Sequence, residues 1–241
     1  MTTTNTTPEI VDHAAFRAAR LAHLDAEKSF TRQRDELARQ RRTLPWLEVD
    51  ATYPFDGPDG TRTLRDLFDG HSQLAVYHFM FGPGWEEGCP SCSFWADNYD
   101  GIGVHLAARD TTLVAIAQAP LPELTAYKTR MGWTFPWYSS AGNSFNHDMG
   151  VSFTPDEIAD GTGRYNHGTQ AAFSDEAPGL SIFNRTDDGR VFLSYQTFSR
   201  GLDMLNTAYQ ILDLTPKGRD EDNLEWSMAW LHRHDAYPPA S

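Results

Sequence analysis

Two cysteines, Cys89 and Cys92, offer the clearest chemistry in this sequence. They are the only cysteines in the chain, and they stand together in the string CPSC. A thiolate is the attacking species in thiol–disulfide exchange, and a second cysteine one helical turn later can release the mixed disulfide by intramolecular attack. So few cysteines exclude a secreted scaffold with several disulfides. The pair therefore indicates a dithiol centre in which Cys89 attacks and Cys92 resolves.

The elements predicted around the cysteines place them at the start of a helix. The apolar run QLAVYHFMF (Gln73–Phe81) has the length of a central strand covered on both faces, and TTLVAIAQA (Thr111–Ala119) repeats that pattern. Between them, apolar residues recur at helical spacing over Ser93–Asp110, although Gly101 and Gly103 weaken a helix there. A cysteine at a helix N-terminus is favoured as the thiolate, because free backbone N–H groups and the helix dipole stabilise negative charge.

Residues close to the motif in sequence affect this expectation. Glu86 and Glu87 precede it, and anionic neighbours oppose thiolate formation. At the edge of a substrate groove they are expected to disfavour anionic thiols and to favour neutral or basic partners. Trp85 is close enough to Cys89 to border that groove. His78 fits two interpretations, a proton acceptor near the cysteines or a core histidine bonded to a backbone group.

The N-terminal segment differs from the rest of the chain. Residues 1–8 offer nothing to bury and are predicted to be a disordered tail, whereas residues 9–45 have the composition of a helical extension. Phe30, Leu37 and Leu44 recur every seven residues, a narrow apolar stripe that needs a partner surface. That surface is either the chain's own core or a second copy, which would make a homodimer through these helices.

Residues 46–241 are predicted to form one domain that ends in a hairpin and a tail. GLSIF (Gly179–Phe183) and RVFLSYQTF (Arg190–Phe198) are its last strands, because the Asp-Gly pair between them is a hairpin turn signal. An irregular or partly helical insertion at about residues 141–177 precedes the hairpin. An acidic, Trp-containing tail follows it.

The charge balance limits the classes of partner. Lys and Arg number 20 against 33 Asp and Glu, a formal net charge of −13, so binding to nucleic acid or to an anionic membrane through overall charge is disfavoured. No apolar run approaches the roughly 18 residues of a membrane span, and MTTTNTTPEI lacks the regions of a secretory signal. These features predict a cytoplasmic protein that acts on a protein or small-molecule thiol or disulfide.

A metal site is the main alternative for the two cysteines. CxxC can be half of a zinc site completed by two histidines, and the same soft thiolates suit copper(I). The prediction from the residues is nevertheless a redox dithiol that uses no metal and no cofactor.

Longer strings resemble a bacterial family of thioredoxin-like proteins of unknown function that are catalogued as predicted dithiol-disulfide oxidoreductases. Four strings carry the resemblance and extend over nearly the whole chain beyond the tail: RDELARQRRTLPW (Arg34–Trp46), YHFMFGPGWEEGCPSCSFWADN (Tyr77–Asn98), YKTRMGWTFPWYSS (Tyr127–Ser140) and YQILDLTPKGRDED (Tyr209–Asp222). It implies an α/β thioredoxin-like fold, a central mixed sheet flanked by helices, with an N-terminal helical extension and an insertion before the final hairpin. Cys89 and Cys92 match the paired cysteines of that family, which implies thiol-disulfide oxidoreductase activity on a substrate that the resemblance does not identify.

The thioredoxin-like resemblance also implies a role for a proline. In such folds a cis proline before the strand that follows the crossover lies against the CxxC, and Pro178 stands in the matching order along this chain. The resemblance therefore implies that Trp85, Ala177 and Pro178 flank the Cys89 sulfur and form the substrate groove.

The layout resembles peroxiredoxins as well, which makes peroxide reduction a third reading of the site. Their PxxxTxxC pattern is absent, because Gly82 and Glu86 stand where Pro and Thr would precede Cys89. The hydroxyl that would position a peroxide is therefore missing.

Overall fold

The N-terminal helix belongs to a unit of its own. The structure, a computed structural model, describes residues 8–239, and the residues up to Pro45 separate from those that follow. Helix α1 (His13–Arg41) begins where the Asp12 carboxylate accepts a hydrogen bond from the Ala15 N–H at 2.8 Å, which satisfies one free N–H of the first turn. The predicted tail lies outside the described residues except for Pro8.

The second unit, from Trp46 onwards, alternates strands and helices. Its strands are β1 (Leu47–Val49), β2 (Pro54–Gly57), β3 (Gly60–Thr63), β4 (Gln73–His78), β5 (Thr111–Ala117), β6 (Trp137–Ser139), β7 (Arg164–Tyr165), β8 (Gln170–Ala171), β9 (Gly179–Arg185) and β10 (Val191–Phe198). Its α-helices are α2 (Pro90–Ala96), α3 (Gly103–Ala107), α4 (Leu121–Arg130), α5 (Phe145–Asp148), α6 (Pro155–Ala159) and α7 (Thr207–Leu212). Across residues 8–239, no helix is both long and apolar enough to cross a membrane.

One mixed sheet organises this unit, in the order β1-β10-β9-β4-β5-β6-β2-β3. Strands β4, β5 and β6 run parallel, while β9 is antiparallel to both β4 and β10. The predicted mixed α/β sheet is therefore confirmed. Within it, β4 lies between the antiparallel strand β9 and the parallel strand β5.

Both faces of the central strands are buried, as their near-continuous apolar sequence predicts. Alternate residues of β4 enter two different hydrophobic clusters, because successive side chains of a strand point to opposite faces. Ala75 and Tyr77 belong to the cluster that contains Cys92, whereas Leu74 and Val76 belong to the cluster on the other face. The alternation of side chains along β4 thus places Ala75 and Tyr77 on the same side as the cysteines.

The helix predicted over Ser93–Asp110 is interrupted. Two short helices, α2 and α3, replace it, and Gly101 between them has a φ of +82°, a left-handed conformation that glycine adopts without steric cost. The apolar stripe is retained, since Trp95 and Tyr99 remain in the core. Gly101 thus lies in the break between the two helices, whereas Gly103 is the first residue of α3.

The apolar stripe on α1 stays a prediction that solution measurements can test. Replacing Phe30 and Leu37 together by serine should lower either the solution mass, if the partner is a second copy, or the melting temperature, if it is this chain. Analytical ultracentrifugation and thermal unfolding give both values. The matched control replaces Gln33 and Gln40 by serine, which removes helix propensity of similar size without apolar surface. Equal behaviour of the two double variants would show that the stripe has no partner.

Candidate active site

The chain folds back on itself between strand β4 and helix α2. The buried segment Phe79–Phe81 continues beyond β4, and the following loop returns so that the Cys89 N–H donates to the Met80 carbonyl at 3.0 Å. Cys89 is the N-cap residue of α2, and Pro90 is the first helical residue, where its missing N–H costs no hydrogen bond. Sequence order and backbone geometry thus place one cysteine at the helix start and the other in its first turn.

Cys89 is half-buried, and its pKa is lowered to about 7. The largest cause is a hydrogen bond from the Cys92 thiol to the Cys89 sulfur, to which the N–H groups of Cys92 and Ser91 and the Ser91 hydroxyl add. Burial acts in the opposite direction, because it disfavours the charged form, but the donors outweigh it. A substantial fraction of Cys89 is therefore thiolate at neutral pH.

Cys92 behaves in the opposite way. Its side chain is only 2% exposed, and burial first, then the hydrogen bond to Cys89 and the charge of that sulfur, raise its pKa well above the usual range. The Tyr77 hydroxyl donates to the Cys92 carbonyl at 3.1 Å and covers this side of the helix. Cys92 is thus a protonated hydrogen-bond donor that stabilises the Cys89 thiolate.

A network beneath the motif holds the end of the loop. The Gly88 carbonyl accepts hydrogen bonds from the Arg233 guanidinium, at 2.7 Å from Nη2 and 3.2 Å from Nε. The Tyr127 hydroxyl lies 3.1 Å from Arg233 Nε and 2.7 Å from the Ser93 hydroxyl. A Cβ at Gly88 would lie 2.5 Å from the Phe79 ring, so only glycine fits there. The residue before Cys89 is therefore held by Arg233 and confined by the Phe79 ring.

The two glutamates before the motif do not act as a pair. The Glu87 carboxylate binds Arg233 Nη1 at 2.6 Å and forms a second ion pair with Arg130, whereas Glu86 is exposed. Two guanidinium groups offset the charge of Glu87 and tie it to the network under Gly88. The expectation of a joint acidic groove edge is therefore corrected for Glu87, which supports the loop.

The predicted groove residues lie in different environments. Pro178 lines a cleft with Cys92, but its peptide bond is trans, as are all peptide bonds within the described residues; the cis geometry implied by the resemblance is not present. Ala177 is buried in the cluster on the other face of the sheet. Trp85 packs against the cluster that contains Cys92, and its indole N–H donates to Asp175 at 3.3 Å.

His78 lies on the face of the sheet that is opposite to the cysteines. It follows Tyr77 in β4, so its side chain points away from α2, and its Nε2 lies 2.7 Å from the Ser181 hydroxyl. Burial lowers the pKa of His78 to about 3, which keeps the imidazole neutral. The structure therefore does not bring this predicted proton acceptor to the cysteines, and the histidine bonds a core side chain.

The cleft beside Cys92 has a volume of about 190 Å³. Its walls are mostly apolar and aromatic, and its lining consists of Tyr77, Met80, Ser91, Cys92, Trp95, Tyr165, Phe173, Pro178, Ser199, Arg200, Asp203 and Met228. A larger, open depression of about 560 Å³ lies between residues 212 and 230 and contains neither cysteine. The smaller cleft is therefore the one that reaches the sulfur chemistry.

A family profile described as "Bacterial protein of unknown function (DUF899)" matches residues 5–237. The chain belongs to this family. The resemblance seen in the sequence is confirmed as membership of a bacterial family of unknown function, and the profile's description assigns no activity. No curated protein sequence matches this family member.

Several solved structures resemble this family member at low identity. A peroxiredoxin Q from Xanthomonas campestris is 10% identical, covers 68% of this chain and 93% of its own, and gives a TM-score of 0.48. The peroxidoxin BcpB from Mycobacterium tuberculosis is 14% identical, with 68% and 96% covered and a TM-score of 0.42. A cysteine-to-serine mutant of peroxiredoxin 6 from Arenicola marina is 13% identical, with 71% and 76% covered and a TM-score of 0.43.

The donor set around the DUF899 cysteines consists of the two sulfurs. Within residues 8–239, no group of three or more His, Cys, Asp and Glu side chains is arranged to hold a metal ion. The histidines that the zinc alternative requires do not converge on the CxxC, so the described residues do not fit a four-ligand site.

Sequence reasoning missed Glu176, a buried carboxyl group that is only 4% exposed. The Ser152 hydroxyl donates to its Oε1 at 2.6 Å, but burial dominates and raises the pKa of Glu176 to about 7. In sequence it stands in the polar string SDEAP, which is typical of an exposed loop. Arg233 and Tyr127 were missed as well, because their role depends on contacts between distant segments.

The pKa of Cys89 predicts a measurable alkylation profile. The rate of carbamidomethylation of Cys89 by iodoacetamide should rise with a midpoint near pH 7, below the ordinary value of about 8.5 for a cysteine. Cys92→Ala should raise the midpoint, because it removes the largest stabilising donor. Cys92→Ser is the matched control, since its hydroxyl still donates. A midpoint of the wild-type protein at the ordinary value would contradict the proposed stabilisation.

Glu176 predicts a pH dependence of stability. The pKa of Glu176 is raised in the folded state, so the protonated carboxyl favours folding below pH 4.5. That contribution to the free energy of unfolding is lost as pH rises from about 4.5 through about 7. One pKa unit corresponds to about 1.4 kcal/mol, so the full loss is on the order of 3 kcal/mol. Denaturant unfolding at pH 5 and pH 8 should show a smaller difference for Glu176→Gln than for the wild type. Glu86→Gln, at an exposed carboxylate, should keep the wild-type difference; a Glu176→Gln protein that keeps it too would refute the assignment.

Proposed function

We propose that this DUF899 protein is a thiol-disulfide oxidoreductase in which Cys89 and Cys92 form the dithiol. The observation that carries the proposal is the asymmetry of the two sulfurs. Cys89 is half-buried with a pKa of about 7, whereas Cys92 is buried with a raised pKa and donates to it. An attacking thiol works best when its pKa is near the ambient pH, and a resolving thiol must stay within reach without competing for the substrate.

The exchange balances in two steps. The Cys89 thiolate attacks one sulfur of a substrate disulfide R–S–S–R′, which forms the Cys89–S–S–R bond and releases R′S⁻. Cys92 then loses its proton and attacks the Cys89 sulfur, which releases RS⁻ and leaves a Cys89–Cys92 disulfide. Two electrons pass to the substrate, and the two thiolates take up the available protons. The reverse sequence oxidises a substrate dithiol.

The charge on Cys89 supplies a reason for this order of events. In the resting dithiol the Cys89 sulfur raises the pKa of Cys92, because a second negative charge nearby is unfavourable. A mixed disulfide at Cys89 carries no charge, so this contribution disappears when the substrate is attached. Cys92 therefore loses its proton more readily after the first step than in the resting dithiol.

The proposed substrate is a protein or a small-molecule thiol or disulfide. The cytoplasmic location is likewise a prediction from sequence. Peroxide reduction would require oxidation of Cys89 to a sulfenic acid before the disulfide forms. The loop before Cys89 has Gly82 and Glu86 where peroxiredoxins have Pro and Thr, so nothing in it favours that reaction over disulfide exchange.

Trapping of mixed disulfides tests the assignment of roles. Cys92→Ser should accumulate covalent adducts with substrate disulfides, because the first step proceeds and the second cannot. Cys89→Ser should accumulate none, since Cys92 is buried and protonated. Non-reducing electrophoresis and intact mass spectrometry after exposure to oxidised dithiol peptides distinguish the two variants.

Two outcomes would contradict the proposal. Absence of adducts in both variants would exclude disulfide exchange at this centre. Sulfenic acid at Cys89 after peroxide treatment, together with no reaction with disulfides, would instead assign peroxide reduction. The double variant, in which both cysteines are serine, provides the baseline for nonspecific adducts.

A further inference from the structure

The cleft beside Cys92 presents apolar surface even though several of its lining residues carry polar groups. The Tyr165 hydroxyl lies between two backbone groups, donating to the Pro178 carbonyl at 2.5 Å and accepting from the Ser199 N–H at 2.9 Å. The Tyr77 hydroxyl is likewise engaged by the Cys92 carbonyl. These tyrosines therefore contribute their rings to the cleft, while their hydroxyls are satisfied elsewhere.

The size of the cleft restricts what can occupy it. Its volume of about 190 Å³ is below the roughly 300–1,000 Å³ of pockets that take drug-sized ligands. It exceeds the cavity of about 150 Å³ that suffices for benzene in an engineered protein core. One aromatic ring, or one apolar side chain of that size, is therefore the largest group that it accommodates in full.

The sulfur chemistry lies at the wall of the cleft. Ser91 and Cys92 belong to its lining, and these are the residues whose N–H groups hold the Cys89 sulfur. A group seated in the cleft is thus next to the helix turn that carries the attacking sulfur. Met80 and Met228 also line it, and thioethers make favourable contacts with aromatic rings.

The other side of the cleft leads to solvent. Phe173 is 63% exposed, and the Arg200 side chain, also in the lining, is 85% exposed. A substrate can therefore place one apolar group inside and leave its remaining, polar part outside. This combination fits a disulfide in which an aromatic group is joined closely to one sulfur.

Resting on the proposed function, we infer that this cleft is a substrate-binding site for a single aromatic group attached to the reacting sulfur, so that aromatic disulfides are the preferred substrate class. Ring burial in the cleft holds the sulfur–sulfur bond beside Cys89. The Cys89 thiolate then attacks the sulfur that carries the ring, and the other sulfur leaves with the electron pair as a thiolate.

Methanethiosulfonate reagents test the cleft in the Cys92→Ser protein. Cys89 attacks the thiol sulfur of the reagent, the Cys89–S–S–R bond forms, and methanesulfinate leaves with the electron pair. The rates of the benzyl and 2-hydroxyethyl reagents with Cys89 are measured, and each is divided by the rate of the same reagent with N-acetylcysteine at the same thiolate concentration. The normalised rate of the benzyl reagent should exceed that of the hydroxyethyl reagent by about tenfold or more. Benzyl alcohol should slow the benzyl reaction alone.

Two substitutions connect the preference to the cleft. Met228→Trp fills it and should bring the ratio of the two normalised rates close to one, whereas Phe173→Ala removes an exposed wall and should lower it severalfold. Met204→Trp is the matched control, because Met204 is exposed and does not line the cleft. Its ratio should equal that of the parent protein.

Each contrary result has a distinct meaning. Equal normalised rates in the parent protein, or a tenfold preference that survives both Met228→Trp and Phe173→Ala, would overturn the binding site while leaving the thiol exchange intact. Failure of Cys89 to react with either reagent faster than N-acetylcysteine would overturn the proposed function itself, and the inference about the cleft with it.

Discussion

The hydrogen bond from the Cys89 N–H to the Met80 carbonyl fixes the geometry on which the site depends. It closes the loop between β4 and α2, and so determines where the helix begins. Because the helix begins there, the N–H groups of Ser91 and Cys92 are directed at the Cys89 sulfur instead of at solvent. The closure is possible only with glycine at position 88, where the Phe79 and Tyr127 rings leave no room for a side chain.

The pKa values of the two thiols in one helical turn are shifted in opposite directions because the fold buries the thiols unequally. The aromatic side chains around Cys92 remove water from it, so the protonated form is favoured there. The protonated Cys92 thiol donates a hydrogen bond to the Cys89 sulfur. The burial that makes Cys92 a poor nucleophile therefore also makes it a good hydrogen-bond donor. The charged network of Glu87, Arg130 and Arg233 anchors Gly88, and it reaches the cluster that contains Cys92 through the Tyr127 hydroxyl.

The parts of the site that could be predicted are those fixed by neighbours in sequence. The CxxC, the apolar run over Gln73–Phe81 and the hairpin signal at Asp188-Gly189 each specify a local conformation, and the strands and turn follow from them. The face on which His78 lies could not be predicted, since a strand buried on both faces shows no polar alternation. The roles of Arg233 and Glu176 could not be predicted from the sequence for a different reason. An arginine in a polar tail and a glutamate in a polar loop look solvated until tertiary contacts enclose them.

A pKa near 7 for Cys89 suits both halves of a reversible exchange. A lower pKa increases the thiolate fraction but weakens its intrinsic nucleophilicity, and the two effects balance when the pKa is close to the ambient pH. In the oxidising direction an incoming thiol attacks Cys89 and displaces Cys92. Cys89 is then the leaving group when the second substrate thiol attacks the substrate sulfur of the mixed disulfide, and a low-pKa thiol leaves faster. The donors from Ser91 and Cys92 therefore assist the departure of Cys89 as much as its attack. A structural disulfide gains nothing from such donors, because they act only on the open, charged sulfur, and this is the physical reason to regard the pair as one that opens and closes.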